Sequence, residues 1–217
     1  MPSGALNLYS AIVADLPLDL PADLAARLAR VLDVEGKIVA ALESLGPVAG
    51  RDVAFVDTAG GSVVEAVQRL GARPRHLPGE PDLWAGEPPA SLDVIVGLWS
   101  AFRGVHAAEM TAAERLLRPE GRLLVVHDYG RDDVSRLRGD RPEYGDWSRR
   151  TGPFLAGGFK VRVLHCFWTF ATIEEAREFL AAAFGEVGGQ LGKTLKRPRL
   201  SWNVAVYHRS RLLPSAR

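Results

Sequence analysis

The sequence predicts an α/β fold in which a mostly parallel sheet carries helices on both faces. Three short, mainly apolar runs, at residues 53–56, 92–98 and 122–127, have the length and composition of strands that are buried on both sides. Between them lie segments whose apolar residues recur at helical spacing, with glycine or proline at the boundaries. Strands that alternate with helices predict a parallel sheet with right-handed crossovers.

The N-terminal part of the chain predicts a helical extension that could cover a sheet edge or act as a lid over a pocket. Three helices are expected there, over residues 8–16, 23–34 and 38–45. Asp23 could cap the second helix, and Gly46 ends the third. The chain therefore divides into three predicted parts: the extension at residues 1–46, an α/β domain at residues 47–208 and a frayed tail at residues 209–217.

The first strong strand leads into a turn of small residues and the start of a helix. Asp57 closes the strand, and Ala59, Gly60 and Gly61 allow a sharp turn. Helical spacing begins at Ser62. Free backbone N–H groups at such a helix start can cradle a polar or anionic ligand. The same unit also occurs in α/β proteins as a plain connection, so both interpretations stay open.

The remaining elements are predicted from periodicity and from turn residues. Arg73–Leu77 is a weak strand because Pro74 interrupts it, and irregular chain rich in proline and glycine follows. A helix over residues 107–117 ends at the turn 119–121. Farther along, we expect a polar, arginine-rich segment at 131–150, a short helix near 147–156, a strand at 159–167, a helix from Thr172 that Gly185 stops, a glycine-rich basic loop at 188–199 and a last strand at 200–207.

Composition limits the classes of partner and of site. A net charge of +1 gives no electrostatic reason to expect nucleic acid or an anionic membrane. The single cysteine, Cys166, lies in an apolar strand-like run, which predicts a buried and inert thiol. Five scattered histidines without metal-ligand spacing predict no metal site. The N-terminus does not look like a secretory leader, so the expected location is the cytoplasm, and a homo-oligomer stays open.

This order of elements resembles the class I S-adenosylmethionine-dependent methyltransferases over much of the chain. Residues 53–62 are similar to the family's first strand and glycine-rich loop, and residues 91–100 to its fourth strand, which an aspartate enters. Residues 114–126 look very like the family's helix, turn and fifth strand, and they are the most telling part. The closing antiparallel pair of the family would be the strands at 159–167 and 200–207. The resemblance implies the Rossmann-like methyltransferase fold.

The resemblance also implies a cofactor, S-adenosylmethionine, with no metal, and methyl transfer to a small-molecule acceptor. The residues implied to hold the cofactor are Asp57, Ala59, Gly60, Gly61, Ser62, Glu80 and Trp99. Where the family's loop has three glycines, this chain has Ala59, Gly61 and Val63. The side chain of Val63 could crowd the cofactor unless the loop shifts.

The second departure from the family lies between the second and third predicted strands. The chain from Leu77 to Leu92 is too short for the family's usual helix and further strand, because a crossover needs at least about 10–12 residues. A smaller sheet is therefore expected. The adenine side of the pocket would be shortened, or Asp82 and Trp84 would replace it.

Polar residues follow two predicted strands that point the same way. Ligands of open α/β sheets bind in the crevice beyond the carboxyl ends of the strands. His127 or Asp128 could accept a proton from an oxygen or nitrogen nucleophile. Tyr129 and Trp99 could hold an apolar or aromatic substrate, or contact a sulfonium ion by a cation–π interaction. Structural roles stay open too, as a satisfied histidine at a strand end for His127 and as core packing for Trp99.

Two functions from different classes stay open. The first is a methyltransferase that acts on a small molecule, and the polar residues at the strand ends favour it. The second is a non-catalytic, methyltransferase-like binding or interaction domain that has lost its cofactor, and the altered glycine loop and the missing strand favour it. A Rossmann-like enzyme that uses another nucleotide is a weaker third, and the motifs of α/β-hydrolases and P-loop nucleotidases are absent.

Overall fold

The computed structural model describes residues 16–139 and 141–211 and folds them around a sheet of six strands. The strands are β1 Asp52–Val56, β2 Arg73–Leu77, β3 Leu92–Leu98, β4 Leu117–Asp128, β5 Lys160–Thr169 and β6 Arg199–Ser210. The helices are α1 Ala22–Val31, α2 Lys37–Leu45, α3 Ser62–Arg69, α4 Ala107–Leu116, α5 Asp133–Arg138, α6 Glu143–Asp146, α7 Pro153–Ala156 and α8 Ile173–Thr194. The predicted helix at residues 8–16 lies outside the described residues except for Leu16.

The sheet has the strand order β2-β1-β3-β4-β6-β5. Strands β1 to β4 are parallel, β6 runs antiparallel to β4, and β5 runs antiparallel to β6. This is the mostly parallel sheet with a closing antiparallel pair that the sequence predicts, and it is the Rossmann-like methyltransferase fold. Between β2 and β3 the chain forms only a short 3-10 helix, Pro81–Gly86, so the smaller sheet is confirmed.

Two hydrophobic layers cover the two faces of the sheet, because side chains alternate along each strand. In β1, Val53 and Phe55 belong to one layer, and Ala54 and Val56 to the other. Helices α1, α2, α3 and α8 contribute to the first layer, and α4 and α7 contribute to the second. Asp23 lies in the first turn of α1, but no side chain caps this helix, so the predicted cap is wrong.

The boundary between α4 and β4 differs from the sequence prediction. Helix α4 ends at Leu116 and β4 begins at Leu117, five residues earlier than the apolar run indicates. The pairing of β4 with β3 shifts register between Leu92 and Val94, where Leu117 and Arg122 are the successive partners. Residues 119–121, which the sequence predicts as a turn before the strand, therefore form an irregular part of β4 itself.

The end of α8 and the arginine-rich segment also differ from the prediction. Gly185 interrupts α8 with φ +57°, as predicted, but the chain is helical again up to Thr194, so the basic loop expected from residue 188 is wrong over most of its length. A Cβ at Gly188 would lie 1.9 Å from the carbonyl oxygen of Leu180, which shows that the two halves of α8 pack closely. Glycine permits this close approach because it has no side chain. Composition alone does not distinguish such a helix contact from a glycine-rich loop.

The short helix expected near residues 147–156 is helical only at Pro153–Ala156, and the arginine-rich segment before it contains α5 and α6. Asp132 and Ser135 form a capping box at the start of α5. The predicted strand at residues 200–207 extends through Ser210, so residues 209 and 210 are not frayed. Residues 212–217 of the predicted tail lie outside the described residues.

Candidate functional site

A cavity of about 950 Å³ lies at the carboxyl edge of the sheet, where β3 and β4 end. Trp99 and Ser100 line it after β3, and His127 and Asp128 line it at the end of β4. The other lining residues come from three places in the sequence: Leu16, Pro17, Leu18, Asp19, Leu20, Ala22 and Ala25 near the start of the described chain, Arg103 after β3, and Arg138, Arg141 and Glu143 after β4. We call residues 16–20 the N-terminal strap.

Trp99 forms part of the cavity wall and has an unusual backbone conformation. Its φ of +48° is one that a bulky L-residue rarely adopts. The indole stacks on Trp202 with ring centroids 5.8 Å apart, and its Nε1 has no hydrogen-bond partner among the described residues. Strained residues of this kind cost about 1–3 kcal/mol and cluster at functional sites. Trp99 is therefore both a core residue, 6% exposed, and a candidate for ligand contact.

Asp128 is held at the floor of the cavity by two partners. Its Oδ2 forms an ion pair with Arg138, and both side chains are almost fully buried. Its Oδ1 accepts a hydrogen bond from Nε1 of Trp202 at 2.8 Å. Both carboxylate oxygens of Asp128 are thus held by partners from other parts of the chain. The geometry favours a positioning role for Asp128 over that of a general base.

Arg138 connects the floor of the cavity to the N-terminal strap. Besides its ion pair with Asp128, it donates a hydrogen bond from Nη2 to the carbonyl oxygen of Pro17 at 2.8 Å. Its buried Nε has no hydrogen-bond partner within residues 16–139 and 141–211. Arg138 is the last residue of α5, and the capping box at the other end fixes the start of that helix. The strap thus borders the cavity, and its action as a lid stays a prediction.

His127 is buried against aromatic rings rather than exposed in the cavity. Its ring lies 4.6 Å from that of Trp147, edge to face, and 5.9 Å from that of Phe154. Burial, followed by the positive charge of Arg103, lowers the pKa of His127 to about 3. The ring is therefore neutral at pH 7, and Nε2 has no hydrogen-bond partner in the part of the chain that the structure describes. A base with so low a pKa gives little driving force for proton transfer.

Arg103 and Glu143 form a second ion pair at the cavity. Nη1 of Arg103 donates to the carbonyl oxygen of Trp99 at 2.9 Å, and its guanidinium lies 5.3 Å from the ring centroid of Trp147. Glu143 is 5% exposed, and its Oε2 has no hydrogen-bond partner among the residues that are described. Burial, followed by the charges of Arg141 and Arg138, lowers the pKa of Arg103. The positive groups of this site are thus close enough to repel one another.

Buried polar atoms without a partner concentrate at this cavity. Four of them belong to lining residues: Trp99 Nε1, His127 Nε2, Arg138 Nε and Glu143 Oε2. Such atoms are rare in proteins because each costs about 1–3 kcal/mol. Water or a bound polar molecule in the cavity would satisfy them. Arg103, Arg138, Arg141 and Glu143 were missed by the sequence analysis, where their only signal is that three of them lie in the arginine-rich segment.

Tyr129 does not join the other two predicted catalytic residues. It does not line the cavity, and its side chain packs against the hydrophobic layer that contains Tyr207 and Phe154. The guanidinium of Arg131 lies 5.8 Å from its ring centroid. Successive side chains of a strand point to opposite faces, which separates Tyr129 from Asp128. Trp99, His127 and Asp128 therefore line one cavity. Tyr129 does not line it, although its side chain lies on the same face of the sheet as that of His127.

The loop after β1 has the backbone of a specialised turn. Asp57 has φ +55°, and Gly61 has φ +122°, a conformation that is essentially restricted to glycine. The carboxylate of Asp57 accepts no hydrogen bond from the described residues, and a Cβ at Gly79 would lie 3.3 Å from its Cγ. Ser62 begins α3, and the N-cap residue Gly61 has no side chain that could cap it. A carboxylate without a partner among the described residues, at the start of a helix, fits the polar end of an amino-acid-like group.

The predicted cofactor residues do not all share one cavity. Of the loop, Ser62 lines a second cavity of about 200 Å³, and Trp99 lines both that cavity and the larger one. Asp57, Ala59, Gly60 and Gly61 line neither, and Glu80 is exposed just before the 3-10 helix.

Val63 and Trp84 are both buried in the hydrophobic layers. Val63 belongs to the first layer, and it also lines the cavity of about 200 Å³ together with Ser62 and Trp99. Trp84 is buried in the second layer beside Phe102, and its Nε1 donates to the carbonyl oxygen of Pro78 at 2.8 Å. Trp84 is therefore core, and it does not replace the adenine side. Asp82 is exposed.

Other kinds of site find no support in the described residues. No group of three or more histidine, cysteine, aspartate or glutamate side chains is arranged to hold a metal ion there. Cys166 is buried, and burial raises the pKa of its thiol, which disfavours the reactive thiolate. None of the helices in residues 16–139 and 141–211 is long and apolar enough to span a membrane.

Comparison with known proteins gives structural likenesses alone. No family model matches the chain, and no curated protein matches it by sequence. Among solved structures, geranyl diphosphate methyltransferase in complex with SAM is 17% identical, with 87% of this chain and 89% of that one covered and a TM-score of 0.48. A candidate methyltransferase from Bacillus halodurans is 15% identical, with 82% and 100% covered and a TM-score of 0.47.

A third solved structure, an S-adenosylmethionine-dependent methyltransferase from Mesorhizobium loti, is 17% identical, with 79% and 97% covered and a TM-score of 0.40. These identities and scores are low. The fold assignment therefore rests on the strand order and on the antiparallel pair formed by β5 and β6. By that topology the chain has the Rossmann-like methyltransferase fold, with its polar cavity at the carboxyl edge of the sheet.

Proposed function

We propose that the protein transfers a methyl group from S-adenosylmethionine to a small-molecule acceptor. The observation that carries this proposal is the position of Trp99. Its side chain lines both the large cavity and the smaller one that Ser62 reaches from the loop after β1. A cofactor held by that loop and an acceptor in the large cavity would then meet at the end of β3, in the crevice that open α/β sheets use for ligands.

The cofactor would be held by Asp57, Ala59, Gly60, Gly61 and Ser62, with Glu80 and Trp99 beside them. The residues present fit this group at its polar end, because the Asp57 carboxylate is open and Gly61 keeps the loop in a glycine-only conformation. When bound, S-adenosylmethionine supplies an electrophilic methyl group on a sulfonium sulfur. The fit at its adenine end is less complete, because Trp84 is committed to the core.

The residues at the cavity would act mainly by positioning. Holding an acceptor in the correct geometry can supply about 7–11 kcal/mol of a reaction barrier. Asp128 and Arg138 fix the floor, and Trp99 offers a flat aromatic wall. Of the three residues that the sequence pattern proposes as catalytic, Asp128 is paired, His127 is a weak base and Tyr129 does not line the cavity. We therefore assign them supporting roles, and among these three residues Nε2 of His127 is a buried atom without a partner in the described part of the chain.

A second candidate is a non-catalytic domain that binds a small molecule without a cofactor. It is favoured by one observation, that Asp57, Ala59, Gly60 and Gly61 do not line the large cavity. For both candidates we propose a small molecule as the main partner and the cytoplasm as the location, in line with the near-neutral charge. A homo-oligomer remains a proposal as well.

Calorimetric titration of the purified protein with S-adenosylmethionine and S-adenosylhomocysteine separates the two candidates. We expect binding, and we expect Gly61→Val to abolish it, because valine disfavours φ +122° and would reshape the loop. The matched control is Gly158→Val, a glycine at φ +81° with nothing within 4 Å of an added Cβ, which should leave binding unchanged. No heat at millimolar ligand would eliminate the enzyme, and equal binding by the Gly61 variant would show that the loop is not the site.

A further inference from the structure

We propose that the large cavity binds a small amphipathic molecule that has an anionic head, either a carboxylate or a phosphate, and an apolar body. The head would lie beside Arg141 and Arg103, and the body along the N-terminal strap. That this molecule is the methyl acceptor rests on the proposed function. That the cavity binds such a molecule does not, and it can be tested without any cofactor.

Three guanidinium groups meet at one end of the cavity. Arg138 is paired with Asp128 and Arg103 with Glu143, whereas Arg141 forms no ion pair with any residue that the structure describes. The charges of Arg141 and Arg138 both lower the pKa of Arg103, so the groups repel one another. An anion between them would relieve this repulsion, and charge-assisted hydrogen bonds to guanidinium are among the strongest in proteins.

The carboxylates of the cavity do not neutralise the charge of Arg141. Asp128 and Glu143 are each committed to one arginine. Asp19 is the exposed residue of the strap, and it is not among the groups that shift the pKa of Arg103 or His127. The arginine end of the cavity is therefore electropositive toward a ligand.

Unpartnered donors point to the same head group. Nε1 of Trp99 and Nε of Arg138 are buried N–H donors without an acceptor among the described residues. A carboxylate or phosphate oxygen is the kind of acceptor that such donors require. The two unpartnered acceptors, Oε2 of Glu143 and Nε2 of His127, can be satisfied by water that accompanies a polar head.

The cavity also has apolar lining. The strap contributes Leu16, Leu18 and Leu20, and α1 adds Ala22 and Ala25. A volume of about 950 Å³ is at the upper end of the range for small-molecule sites, so a chain or ring of several carbons fits beside the head. The combination of this apolar lining with the arginine side chains is what selects an amphipathic anion over a wholly polar one.

The test is calorimetric titration of the full chain, without cofactor, with four probes that share one tail: octanoate, octyl phosphate, octanol and octylamine. We expect at least one anion to bind about tenfold or more tightly than octanol, and octylamine to bind weakest. The tighter of the two anions identifies the head. Equal affinity for octanol, or no binding of either anion by the folded protein, would overturn the proposal.

Arg141→Gln tests the position of the head, since this exposed, unpaired side chain can change without disturbing the fold. We expect it to weaken binding of the better anion about tenfold and to leave octanol unchanged. Arg150→Gln, an equally exposed arginine outside the cavity, removes the same charge and should have no such effect. Equal losses in both variants would contradict a specific site. Anion binding without S-adenosylmethionine binding would sink only the proposed function, and the reverse result only this inference.

Discussion

The loop after β1 and the end of β4 both carry an aspartate at the carboxyl edge of the sheet, and the two aspartates differ in their surroundings. Asp57 follows β1 with φ +55°, and its carboxylate accepts no hydrogen bond within the described residues. Asp128 ends β4 with one oxygen paired to Arg138 and the other bonded to Trp202. The two aspartates thus occupy equivalent places in the topology. Only the carboxylate of Asp128 is held by partners among the described residues.

The difference comes from segments that are distant in sequence. Trp202 reaches Asp128 because β6 runs antiparallel beside β4, and Arg138 reaches it from the end of α5. No comparable partner from the described residues reaches Asp57. A polar residue at a strand end is therefore a candidate for chemistry only when the rest of the chain leaves it free, which favours Asp57 for ligand binding and gives Asp128 a supporting role.

The largest predicted effect is a loss of stability on substitution of Asp128. Asp128→Asn should lower the free energy of unfolding by about 3–5 kcal/mol, because it leaves the Arg138 charge buried without its counterion. Urea unfolding of the purified variant measures this loss. The control is Asp146→Asn, which breaks an exposed pair with Arg149 and should cost no more than about 1 kcal/mol. Similar losses for the two variants would show that the Asp128 pair is not structural.

The next effect concerns His127 and pH. Its pKa falls from an ordinary 6.5 to about 3 on folding, so the unfolded chain binds the proton more tightly between those values. Stability from this group is complete above pH 6.5 and is lost as pH falls, by about 2 kcal/mol at pH 5. Urea unfolding at pH 7, 6 and 5 should show a steeper decline for the native chain than for His127→Gln. Parallel declines would mean that the histidine already titrates normally.

The smallest predicted effect is on the affinity for S-adenosylmethionine, at Glu80. If this exposed residue contacts the cofactor, Glu80→Gln should weaken S-adenosylmethionine binding about threefold, as expected for one hydrogen bond at a solvated position. Calorimetry provides the measurement. Glu120→Gln, an exposed glutamate in the irregular first part of β4, is the matched control and should change nothing. An unchanged affinity for the Glu80 variant would remove this residue from the cofactor site.

Sequence patterns predicted the sheet better than they predicted the helices. Strands β1, β3 and β4 follow from apolar runs, because their burial leaves a strong local signal. The mostly exposed β2 was predicted only as a weak strand, and the resemblance supports β5 and β6 as the closing pair. The pattern failed in α8, where Gly188 indicates a loop but permits two helical halves to touch. It also failed at the start of β4, where turn residues are absorbed as an irregularity in register. In both places the deciding contacts are with residues elsewhere in the chain.

The candidate site was predicted only in part. Trp99, His127 and Asp128 were found because they follow strands that end at one edge, and the structure brings them to one cavity. Tyr129 follows the same strand, but its side chain packs into the second layer and does not line the cavity. The arginines at positions 103, 138 and 141 have no motif spacing, so only their position in space shows that they form one end of the cavity.

The sequence by itself determined the order of strands and helices, the special turn after β1 and the edge of the sheet where polar residues gather, because these depend on local periodicity and on the conformational limits of glycine. Only the tertiary structure decided which of those polar residues stay available. Pairing, burial and pKa depend on what packs against a group, and here the partners of Asp128 come from α5 and β6. The cavity, its arginine end and its apolar strap are likewise products of packing between segments far apart in the chain.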